Sequence, residues 1–155
     1  MATLKINKKD IFRIDIVDEN NCFTGKYIEL NLADIELPFK IADAMEKIQV
    51  AKENTKLKTK ELNLREDVKG KYLNSKNAED IMLEWRNYYI KIRDYFDSFL
   101  GKGACQNIFG DSNYAGMEDD LFEALMPSIE QMDLSIDNMY KRIEDKYKME
   151  SIEML

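Results

Sequence analysis

The 155 residues suffice for one domain with a real core, and a composition of 45% hydrophobic and 34% charged residues excludes a disordered chain. A net charge of −7 argues against nucleic acid as the main partner, because neutralising phosphates needs a basic face. No apolar run approaches the ~18–20 residues of a membrane span, and Met1-Ala2-Thr3-Leu4-Lys5 lacks the apolar stretch of a secretion signal, so a cytoplasmic chain is expected.

The first thirty residues carry period-2 patterns, with Phe12, Ile14 and Ile16 alternating with Arg13 and Asp15, and Ile28, Leu30 and Leu32 alternating with Glu29 and Asn31. Turn formers lie between them at Asp18-Glu19-Asn20-Asn21 and Thr24-Gly25. This predicts a β-hairpin, with Leu4–Ile6 as a short third strand. A two-stranded hairpin is marginal in water, so it must pack on helices or pair with another chain.

Pro38 suits a first helical turn, and Ile41, Met45 and Ile48 follow at helical spacing. The helix continues through Lys52–Leu64, where apolar residues thin to Leu57, Leu62 and Leu64, a polar arm exposed in the monomer. Residues 67–77 read as a loop. Ser75 or Asn77 then caps a helix whose stripe is Ile81, Trp85, Tyr88, Ile92, Tyr95 and Phe99. Gly101-Lys102-Gly103 ends it. After a short segment at Ala104–Phe109, a last helix starts near Glu118 with the stripe Leu121, Leu125, Ile129, Met132, Ile136, Met139, Ile143 and Tyr147. Pro127 predicts a bend or a break in that helix. The fold class is therefore α+β, mostly α, with an N-terminal β-hairpin followed by three to four long helices. The hairpin segment is 1–33 and the helical domain 34–155, expected as one folding unit.

The residues offer little chemistry. There is no histidine, which removes the commonest general base and the commonest metal ligand. Cys22 and Cys105 sit far apart without CxxC spacing and are expected to be reduced. Glu118, Asp119 and Asp120 read as acidic residues complementing a helix dipole rather than a cation site. No metal, cofactor or catalytic residue is expected. From Glu118 onward eleven acidic residues face four basic ones, whereas Lys52–Lys71 carries seven basic against four acidic. The basic stretch reads as a solvated helix face. Nine methionines, five of them after residue 125, suggest adaptable apolar contacts.

Phe96–Gly110, with Phe99, Gly101, Gly103, Ile108, Phe109 and Gly110, resembles the FFGEG…IFG segment of tail assembly chaperones from long-tailed phages of Gram-positive hosts. Leu121–Ile129 is similar to the LEALxPxI helix that follows it, and Leu30–Ile41 to the strand-to-helix entry. The sequence departs in having Lys102 where an acidic residue is usual, and in its acidic last helix. The resemblance implies a non-enzymatic protein that binds the tape measure protein and keeps it soluble while tail tube subunits polymerise. It implies many copies acting together, the major tail protein as a further partner, and residence in the host bacterial cytoplasm outside the mature virion. Met132, Met139 and Tyr147 are the candidate partner contacts, on the distal part of the last helix. The alternative reading is a phage or mobile-element protein that inhibits or scaffolds another protein.

Overall fold

The computed structural model describes residues 1–5 and 10–132. Two antiparallel strands, β1 (Ile11–Val17) and β2 (Phe23–Asn31), form the N-terminal hairpin. Among the described residues four helices follow: α1 (Leu37–Leu64), α2 (Lys76–Leu100), α3 (Ala104–Phe109) and α4, whose described part is residues 117–132. The fold is α+β and mostly α.

The hairpin register places Ile14 opposite Ile28 and Phe12 opposite Leu30, so the period-2 residues share one face. Ile28 and Leu30 are buried. On the other face the Arg13 guanidinium lies 4.0 Å from the Tyr27 ring centroid and donates to Asp15 at 2.7 Å. The turn is closed by Asp18, whose Oδ1 accepts from Asn20 N–H and Cys22 N–H. Thr24-Gly25 belongs to β2 rather than to the turn. The ladder is irregular between Asp15 and Val17, and Thr24 Oγ1 donates to the Ile16 carbonyl there at 2.7 Å. The third strand predicted at Leu4–Ile6 does not form at Leu4 and Lys5, and Ile6 lies outside the described residues.

The chain divides into two compact units, one of Met1–Pro38 together with the chain from Asp119 onward, the other Phe39–Glu118. The boundary thus falls inside the segment expected to be one helical domain. In the first unit the buried residues are Ile28, Leu30, Leu32 and Leu37, and, on α4, Leu121, Leu125, Ser128 and Met132. Pro127 does not break α4, which is continuous through residue 132. Pro127 and Glu123 are both exposed, so water can serve the Glu123 carbonyl that the missing N–H leaves unpaired.

In the second unit α1 and α2 form an antiparallel helical hairpin. Lys58 reaches Glu84 at 3.9 Å, and Arg65 reaches Asn77 at 2.9 Å and Asp80 at 2.8 Å. α1 buries Ile41, Ala44, Ile48 and Thr55; Met45 is exposed, because the stripe steps 3 and 4 from Ile41 and passes through Ala44. α2 buries Tyr88, Ile92 and Phe96. Tyr95 is only half-buried, since Phe96 takes the i+4 place after Ile92. Ser75 caps α2, accepting from Ala78 N–H at 3.1 Å. The loop before it is ordered by two carboxylates. Asp67 accepts from the Ser75 hydroxyl and Asn77 N–H. Glu79 accepts from three successive N–H groups, those of Lys71, Tyr72 and Leu73. Gly70 leaves room for that carboxylate: a Cβ there would sit 2.5 Å from the Glu79 carboxyl carbon, and the side chain would have to shift.

Candidate functional site

Two regions of the Phe39–Glu118 unit concentrate side chains that the sequence singles out or that face solvent without burial. The first is the motif segment. Gly101 ends α2 with φ +111°, its N–H donating to the Asp97 carbonyl, and Gly103 opens α3 with φ +78°. Both values fall where L side chains are strained, which is the physical reason for glycine at these two positions. Gly110 ends α3. Phe99 lies against Phe96 with ring centroids 6.0 Å apart, and Phe109 packs edge-on to Tyr114 at 5.9 Å. Ile108 is half-buried.

Arg93 ties this segment to α2. Its guanidinium donates to Asn113 Oδ1 at 2.7 Å, to the Gly110 and Ser112 carbonyls at 2.8 Å each, and to Gln106 Oε1 at 3.3 Å. The planar fork suits this four-acceptor arrangement. Cys105 is fully buried; its N–H donates to Asp97 Oδ1 at 2.9 Å and its thiol points to the Arg93 carbonyl. Burial, with the Asp97 carboxylate beside it, pushes the Cys105 thiol up to about 12. That thiol is a structural group and not a nucleophile. The motif is therefore a packed turn, and its ordering residue, Arg93, carries no sequence signal beyond a charge on a helix.

The second region is a cleft between α1 and α2 of about 280 Å³, lined by Ala51, Asn54, Thr55, Leu57 and Lys58 on one helix and Glu84, Asn87, Tyr88 and Lys91 on the other. Tyr88 and Thr55 are buried and form its floor. Tyr88 OH donates to Glu118 Oε1 at 3.4 Å, and Lys52 Nζ stands 3.6 Å from the same oxygen. Glu118 is buried and its second carboxylate oxygen has no hydrogen-bond partner among the described residues, whereas Asp119 and Asp120 are exposed. The helix-dipole reading thus misses Glu118, which acts as a buried anchor.

The cleft is bordered by exposed apolar rows. On α1, Val50, Leu57 and Leu64 recur every seven residues and are 54%, 62% and 80% exposed. On α2, Leu83 and Ile90, also seven apart, are exposed. Asn54 and Asn87, which line the cleft, fall within these rows at i+4 spacing. Leu57 and Leu64 lie on the stretch that the sequence marks as an arm exposed in the monomer, and both are exposed.

The proposed contacts on the last helix fare differently. Met132 is only 4% exposed and belongs to the buried stripe of α4, so it is not an open surface contact. Met139 and Tyr147 lie outside the described residues. Among the described residues no three His, Cys, Asp or Glu side chains gather as metal ligands, and no helix is long and apolar enough to cross a membrane. Compared with known proteins, the chain matches no family model, no curated protein and no solved structure.

Proposed function

We propose that this chain is a non-enzymatic tail assembly chaperone, which holds the helical tape measure protein soluble in the bacterial cytoplasm during tail tube assembly. The observation that carries the reading is the exposed Val50–Leu57–Leu64 row beside the cleft. A seven-residue apolar repeat left bare on a helix is a half-interface that a second amphipathic helix completes through its own a and d positions. The resemblance of Phe96–Gly110 and Leu121–Ile129 to such chaperones supports the same role. Met132 is buried, and the contact surface we propose is therefore the exposed row on α1 with its neighbours on α2.

The test is co-expression with an apolar-striped fragment of the tape measure protein. Wild type should carry the fragment into the soluble fraction. Leu57→Asp with Leu64→Asp should abolish that effect without unfolding the protein, since both side chains are exposed. A fragment left insoluble by the wild type rejects the chaperone role. A double variant as effective as wild type rejects this surface.

A further inference from the structure

The exposed face of α4 is the chemical complement of the α1–α2 cleft. Met126, 48% exposed, is the one large exposed apolar side chain on α4 among the described residues. Asp119, Glu123 and Glu130 stand seven and three residues before it and four after it, so all share its face, and all are exposed. Residues 117–132 contain no lysine or arginine to offset them. The result is a flexible apolar knob ringed by carboxylates.

The cleft presents the opposite pattern. Its floor is Ala51, Thr55 and the Tyr88 ring, its mouth carries Lys58 and Lys91, and exposed Leu57 extends its apolar border. Its single acidic wall residue, Glu84, is engaged by Lys58. A volume of about 280 Å³ admits one unbranched side chain such as methionine with room to adjust.

We propose that copies of this chain assemble head to tail, with Met126 of one copy seated in the α1–α2 cleft of the next, and with Glu123 and Glu130 facing Lys58 and Lys91. The two surfaces differ, so each copy can make two such contacts at once; a head-to-tail arrangement propagates into a ring or an open chain, whereas a reciprocal exchange stops at a two-fold dimer. Every copy carries −7, so salt screens both the overall repulsion and the local attraction. Salt dependence is therefore a poor probe, and charge exchange is the sharper one. The contact does not rest on the chaperone role, which can fail independently.

The experiment is sedimentation velocity on the full chain over a wide concentration range, with three variants. Lys58→Glu with Lys91→Glu makes the cleft mouth acidic. Glu123→Lys with Glu130→Lys makes the knob's surround basic. Met126→Ala removes the knob without touching charge. All five positions are exposed, so thermal melts should stay near wild type. Wild type should grow past a dimer with concentration. Each charge variant alone should associate about tenfold more weakly or worse, because like charges then meet across the contact. An equimolar mixture of the two charge variants should regain assembly, since each variant's knob is now complementary to the other's cleft. Met126→Ala should weaken assembly as well. A wild type that stays monomeric or stops at a dimer, even if it binds an added helical fragment, overturns the proposal. So does a mixture that fails to regain assembly, or a Met126→Ala variant that assembles as wild type does.

Discussion

Removing the Arg93 guanidinium deprives one side-chain and two main-chain acceptors of short hydrogen bonds at once. Arg93→Ala should cost about 2 kcal/mol, the usual range for hydrogen bonds to a charged group, read as a lower urea midpoint. At Glu118 the expected result is asymmetric. Lys52→Met leaves a buried carboxylate without its cation and should destabilise by about 1–3 kcal/mol. Lys52→Met with Glu118→Leu should recover only part of that loss, because the buried charge goes with its cation but the buried Tyr88 hydroxyl loses its Glu118 acceptor. A double-mutant cycle in urea measures the coupling. Cys105 gives a pH dependence of known sign. Its folded pKa of about 12 stands above its ordinary 9.0, so its contribution is complete below pH 9 and is lost as pH rises toward 12. A thiol reagent at mildly alkaline pH should titrate exposed Cys22 alone, and Cys105 only after unfolding. At this scale the sequence discloses the glycines at 101 and 103, whose backbone need is written in residue type. It does not disclose Arg93 or Glu118, because a charge on an amphipathic helix reads as a solvated one until its neighbours are placed.

Among the elements, the hairpin and α2 were legible because each carries a clean period and a chemical stop at its ends: Asp18 at the turn, Ser75 and Gly101 at the helix caps. The buried stripes were less exact. Ala44 replaces Met45, Phe96 replaces Tyr95 and Ser128 replaces Ile129, since a helix face is chosen by position and a small or polar residue can occupy it. The same point governs Met132. Met132→Asp should unfold its unit, through a buried charge without a partner, and a melting curve distinguishes that from a loss of binding alone. The loop before α2 has its own acid signature. The N–H groups of Leu73, Tyr72 and Lys71 hold the Glu79 carboxyl below its ordinary 4.5. The loop's stabilisation is therefore present above about pH 4.5 and fades as pH falls through the lower folded value. Hydrogen exchange at Lys71, Tyr72 and Leu73 should quicken relative to α2 under acid, and in Glu79→Gln it should be fast at neutral pH.

For the whole molecule, Leu57 belongs both to the cleft and to the exposed row on α1. Self-assembly and capture of a partner helix then draw on one surface, and each should weaken the other by the same factor. Adding a soluble amphipathic fragment should lower the sedimentation coefficient distribution of the free protein's assemblies as the fragment binds. The two-unit division has a separate consequence, which concerns time. The hairpin's own unit is completed only by chain that follows Glu118. During synthesis the hairpin emerges first, before the later part of its unit exists. The intervening Phe39–Glu118 unit, roughly 80 residues long, takes about 4–16 s to translate at ordinary bacterial rates. For that interval the nascent chain carries an incomplete hairpin unit and a helical hairpin whose own unit is already whole. Ribosome-bound chains cut at residue 118 and extended by a linker long enough to clear the exit tunnel should therefore protect α1 and α2 from protease while leaving the N-terminal strands open to cleavage.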